Sequence, residues 1–191
     1  MLRRIWPPVA LALLALSGCS TRPASPEVQQ LNQEVKQLNQ EMRQLTRQAA
    51  ALEQQSLLNS HSAQGAWLLP AASHSVTLQT RLGELRLSLT QIESEASGTR
   101  ANLNIRAAGE APLPALRAEV QWGELDPASG KPLSAEALSQ RIEVPASLLP
   151  QSSVMVPLRL SGIAPEQLGF VRVHAVEPLP AAQSAQRTVA P

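Results

Sequence analysis

Between Val28 and Leu52 the apolar residues return at alternating intervals of three and four: Val28, Leu31, Val35, Leu38, Met42, Leu45, Ala49 and Leu52. Val28, Val35, Met42 and Ala49 take position a of a heptad, and the four leucines take position d. The near-copies Val-Gln-Gln-Leu-Asn-Gln-Glu and Val-Lys-Gln-Leu-Asn-Gln-Glu carry the repeat. A 3-4 spacing held through about four heptads predicts a coiled coil. Ser25-Pro26-Glu27 marks its start, with a capping serine, a proline at the first helical position and an acid in the first turn. No glycine or further proline interrupts residues 27–56, so the helix should extend roughly 40 Å. A stripe two positions wide in seven is narrower than the face a globular core recruits. That favours a seam between helices over a helix lying on the rest of the protein. Val28 and Val35 at a with leucine at d lean toward a parallel dimer, while Met42 and Ala49 dilute the preference and leave a trimer open. Glu34 and Glu41 at g face Asn39 and Thr46 at e, so no ion pair selects the partner.

Residues 57–65 break the heptad and read as a hinge. Beyond them the period changes to two. Leu85, Leu87 and Leu89 alternate with polar neighbours, followed by Leu103 and Ile105, then Ala118, Val120 and Trp122, then Ile142 and Val144. Val154, Val156, Leu158 and Leu160 come next, and Val171, Val173 and Ala175 last. Short alternating runs bounded by turn residues predict strands. Ser97-Gly98 separates two of them, and Asp126-Pro127-Ala128-Ser129-Gly130 is a type I turn sequence. Pro157 makes its strand an edge or a bulge. Pro165 opens and Gly169 closes a single helical turn. About six to eight strands over residues 66–178 predict two packed antiparallel sheets, a mainly β fold of immunoglobulin/fibronectin-like sandwich type behind an N-terminal coiled-coil helix. The run from Leu160 to Val176 is similar to the corner of fibronectin-like sandwiches, with Phe170 where a tyrosine would stand. Residues 179–191 have no period and read as a disordered tail.

The first residues read as an address. Arg3 and Arg4 precede an apolar run of about a dozen residues, too short to span a bilayer and suited to a signal peptide. Leu16-Ser17-Gly18-Cys19 resembles the bacterial lipobox. Cleavage between Gly18 and Cys19 removes residues 1–18 and leaves Cys19 to carry lipid, with 19–26 as a tether. Two or more acyl chains give a stable anchor, at about 0.8 kcal/mol per buried CH₂. Cys19 is the single cysteine of the 191 residues, which excludes an internal disulfide and a thiolate zinc site. Ser20 rather than aspartate follows it, which resembles outer-membrane sorting. Removing Arg3 and Arg4 takes the formal charge from +1 to −1. Neither value supplies the clustered basic field that nucleic acid demands.

The residues offer little chemistry. His61, His74 and His174 have no metal-ligand spacing, Asp126 is explained by its turn, and Glu93 and Glu95 flank a solvated hairpin. No nucleophile elbow and no phosphate loop occurs. Trp67 and Trp122 are two of the few large rings in a chain that is 2% aromatic, and packing is their expected use. No catalytic residue, metal site or cofactor is expected.

The lipobox, the glutamine-rich heptads, Gly65-Ala-Trp-Leu-Leu-Pro70, Leu82-Gly-Glu-Leu-Arg-Leu-Ser-Leu89 and Gln167-Leu-Gly-Phe-Val-Arg-Val-His174 together resemble the YajI-like outer-membrane lipoproteins of Gram-negative bacteria, a family of unknown function. The resemblance implies export, lipidation and a periplasmic domain, and brings no catalytic residues. The expectation is a lipid-anchored outer-membrane lipoprotein facing the periplasm. It would present a β-sandwich interaction module to an unknown periplasmic protein on a self-associating spacer, and would not be an enzyme. The alternatives are a cell-wall-associated structural lipoprotein, since the heptads resemble those of murein lipoproteins, and a periplasmic hydrolase or carbohydrate-binding domain.

Overall fold

A computed structural model describes residues 26–60, 62, 64–144 and 147–180. Gly18, Cys19, the signal segment, most of the tether, His61 and residues 181–191 lie outside the described residues. The chain falls into two units, divided between Met42 and Arg43. In the first, residues 26–42 are helical and every one of them is exposed. Gln30 donates to Glu34 at 3.3 Å and Gln37 to Glu41 at 3.0 Å, the four-residue spacing that supports an exposed helix.

The second unit begins with the remainder of the helix α1 (Pro26–Ser60). Its described strands are β1 (Gly65–Leu68), β2 (Val76–Thr80), β3 (Gly83–Glu95), β4 (Gly98–Ala107), β5 (Leu116–Gly123), β6 (Leu138–Val144), β7 (Ser153–Ser161) and β8 (Phe170–Pro178). They form two four-stranded sheets, ordered β1-β8-β5-β6 and β2-β3-β4-β7, with every neighbour antiparallel. The expected sandwich is therefore present. Chain connections after β1, β4, β6 and β7 change sheet, so the two layers are laced together by sequence-distant pairings.

The period-two residues build the core. Leu85 and Leu87, with Leu103, Ile105, Leu158 and Leu160, face Leu116, Ala118, Val120, Ile142, Val144, Val171 and Val173 across the layers. Fully burying one such side chain stabilises the fold by about 1.5–3 kcal/mol, against a backbone entropy cost of about 1–2 kcal/mol per residue. Pro157 lies in β7, an edge strand, where a missing amide is tolerated. Ala175 departs from the alternation. It is exposed with φ of 49°, and the β5–β8 register shifts between Arg117 and Glu119. The bulge adds a residue to β8, so Val176, rather than Ala175, packs against the core.

The turn at Asp126 forms as its sequence requires. Asp126 Oδ1 accepts from the Ser129 amide at 2.7 Å, the Ser129 hydroxyl at 2.8 Å and the Ala128 amide at 3.1 Å, and Gly130 leaves the turn with φ of 67°. Those bonds, the Ser129 amide first, hold the Asp126 carboxyl below the usual carboxylate range. A depressed folded-state value means that Asp126 contributes stability above the ordinary aspartate range, about pH 4, and loses it as pH falls through the folded value. An Asp126→Asn variant should therefore show a shallower fall in melting temperature below pH 4 than the parent in a thermal scan.

Candidate functional site: the two faces of α1

Two faces of α1 meet different fates. The apolar stripe is uncovered. Val28 (47% exposed), Leu31 (60%), Val35 (49%), Leu38 (60%), Met42 (58%), Leu45 (65%) and Leu52 (37%) present their side chains to solvent, and Ala49 is exposed with them. All eight residues predicted for the seam are thus exposed in the single chain. An isolated helix with an uncovered 3-4 stripe exposes apolar area that a second helix would bury at roughly 25 cal/mol per Å².

A different face holds the β domain. Ala51 and Leu58 pack with Trp67 on a satellite core of Leu69, Ala72 and Phe170, with Leu125 and Ala137 at its margin. Phe170 is fully buried, its ring centroid 5.1 Å from that of Trp67 at 60°. Gln55, 3% exposed, accepts from the Leu69 amide at 2.8 Å. The Asn59 carboxamide meets the Trp67 backbone twice, accepting from its amide at 2.9 Å and donating to its carbonyl at 2.8 Å. Gln54 donates to the Gly130 carbonyl at 2.9 Å, tying the Asp126 turn to the helix. With 100° of rotation per residue, the stripe of Ala51, Gln55 and Leu58 lies roughly 120° around the helix from Leu45, Ala49 and Leu52. Docking the β domain therefore leaves the seam open.

The contact also answers a liability of the fold. β1 pairs only with β8 and would offer its outer edge to any passing strand. Asn59 and Gln55 occupy the Trp67 and Leu69 positions of that edge as a strand would. Helix α1 runs through Ser60 because of this contact, into the 57–65 segment that the broken heptad marks as a hinge. The register itself explains the handover: the a and d positions after Leu52 are Ser56 and Asn59, too polar for a seam. Gln55→Ala would strand the buried Leu69 amide, at a cost of about 1–3 kcal/mol. Urea unfolding should record that loss, with Asn59→Ala giving a similar one.

The other described candidates make local contacts. His74 Nδ1 lies 2.7 Å from the Ala72 carbonyl, and no group able to hold a metal ion occurs among the described residues. Glu93 pairs with Arg100 at 2.5 Å across the β3–β4 hairpin, and Glu95 of β3 approaches Arg159 of β7 at 4.0 Å on the same sheet. Trp122 is 4% exposed and donates to the Ser161 carbonyl at 3.2 Å. Sequence reasoning missed Gln55 and Asn59, although polar residues one turn apart beside Ala51 and Leu58 are a second, three-to-four-spaced stripe.

Two antiparallel four-stranded sheets, with Ala51 and Leu58 of the preceding helix packed beside them, define a helix-led β-sandwich. The chain belongs to the family described as "Protein of unknown function (DUF3251)", whose model matches residues 23–184. It is 38% identical over 168 residues to the "Uncharacterized lipoprotein YajI" of Escherichia coli strain K12, covering 88% of this chain and 92% of that protein. The solution structure of the Escherichia coli protein matches with a TM-score of 0.66 at 34% identity, over 74% of this chain and 84% of the other. The Salmonella enterica trimeric lipoprotein SadB matches with a TM-score of 0.51 at 20% identity, over 79% and 81% of the two chains, a likeness of fold.

Proposed function

We propose that the protein is a lipid-anchored, outer-membrane lipoprotein whose α1 helices associate in parallel, as a dimer or trimer, and present the β domain to a periplasmic protein without catalysis of its own. The observation that carries this reading is the eight-residue stripe left exposed while the docking face of the same helix is occupied. The lipobox at Gly18-Cys19 supplies the anchor, and the lipoprotein relatives agree with it. Tethering every copy by its N-terminus to one surface enforces parallel association. Confinement also raises the local concentration, as linking does, for a coil too short to be stable when dilute.

Mass spectrometry of the amino-terminal peptide from native membranes tests the anchor. The expected species begins at Cys19 and carries three acyl chains. A peptide that begins elsewhere, or a Cys19 with a free thiol, overturns the reading.

A further inference from the structure

On the outer face of the sheet that carries β8, Arg172 stands over the Trp67 ring, its Cζ 4.8 Å from the centroid. Its Nε is buried without a hydrogen-bond partner, and Arg172 belongs to none of the ion pairs among the described residues. The stem is pinned by β1: a Cβ on Gly65 would lie 3.2 Å from Arg172 Nε and 3.0 Å from His174 Cβ. A guanidinium held on a ring face keeps its in-plane donors for a second partner, and a fork of that kind matches the two oxygens of a carboxylate or phosphate.

Arg172 lines a cleft of about 560 Å³ between the start of β1, the bulged end of β8 and the β2–β3 turn, with Gln64, Arg81, His174 and Glu177 also on its walls. The carboxylate there is already engaged, since Arg117 donates to Glu177 from Nη2 at 2.8 Å and from Nε at 3.2 Å. The cleft therefore sets two guanidinium groups, Arg81 and Arg172, against one wall carboxylate that is already paired with Arg117. Concave positive surfaces of this kind concentrate anions. His174 agrees: burial first, then the Arg172 charge, holds its imidazole below the ordinary histidine value, with Glu119 opposing.

We propose that this cleft binds an oxyanion, the carboxylate or phosphate group of a small ligand or peptide end, with Arg172 as the forked anchor and Arg81 as the second cation. The site is independent of the seam and of the lipid anchor.

The test uses the full chain in detergent micelles with ¹⁵N-labelled arginine, titrated with sodium acetate or inorganic phosphate against sodium chloride at matched ionic strength. The Arg172 Nε–Hε resonance should move saturably with acetate, phosphate or both, and stay fixed in chloride. Bound anion should also raise the pH midpoint of His174. A response to acetate alone assigns a carboxylate ligand, and a response to phosphate alone assigns a phosphate. Arg81→Gln, an exposed position, should weaken binding about tenfold, the worth of one charge-assisted contact. Arg172→Lys keeps the charge, loses the fork, and should weaken binding at least as much, read from the anion dependence of the His174 midpoint. No saturable shift with either anion, or the parent's affinity retained in either variant, overturns the proposal.

Discussion

Replacing Leu31, Leu38 and Leu45 together with glutamate should leave a monomer where the proposed seam gives the parent chain a dimer or trimer. Each leucine sits at a d position with more than half of its surface exposed in the single chain. Burial against a partner helix is worth about 2 kcal/mol apiece, so the triple change removes about 6 kcal/mol, or roughly four orders of magnitude in dissociation constant. The three side chains take no part in the satellite core, so the β domain should melt where it did before. Sedimentation equilibrium of the detergent-solubilised chain reads the first effect and near-ultraviolet circular dichroism of the tryptophans the second. Far-ultraviolet circular dichroism should lose part of its helical signal, because most of a helix's stability comes from packing of its apolar face.

The second large effect is expected at Phe170. Its ring is fully buried where α1, β1 and the 3-10 turn Pro70–Ala72 converge. Phe170→Ala should cost about 3–5 kcal/mol, and thermal unfolding should fall by on the order of 10–20 °C for a domain of this size. The pattern of loss distinguishes the satellite core from the inter-sheet core. Hydrogen exchange at the Trp67 and Leu69 amides should accelerate first, because Asn59 and Gln55 reach them only while α1 stays docked. Leu87, between the sheets, should keep its protection longer.

Much of this architecture was legible in the amino-acid order. Alternation placed Leu85, Leu87, Leu103, Ile105, Val120, Val171 and Val173 in the inter-sheet core, because a strand sends every second side chain to one face. The heptads marked α1 and its exposed stripe for the corresponding reason. Pairing order was not legible: β8 lies between β1 and β5, far from both in sequence, and period two carries no information about which strand is next. The bulge at Ala175 was hidden as well, since an alanine gives no sign that it will adopt φ of 49°.

The candidate site divides the same way. The exposed apolar stripe follows from spacing alone. The docked end of α1 does not, because glutamine and asparagine read as solvent-facing until a strand edge needing partners appears beside them. Arg172 shows the converse. In the sequence it is one of the polar residues of an alternating strand, and only the fold sets it on Trp67 with a cleft beside it.

Cysteine cross-linking in intact membranes tests the proposed parallel, lipid-anchored seam most directly. Leu38→Cys places a thiol at a d position, and Gln40→Cys places one on the opposite face as control. With the Cys19 sulfur held in a thioether, the introduced thiol is the single one in the mature chain. Oxidation should then yield a covalent pair for Leu38→Cys, little for Gln40→Cys and none for the parent chain. Equal yields at both positions, no pair at Leu38→Cys, or cross-linking of the parent through Cys19 would contradict the account.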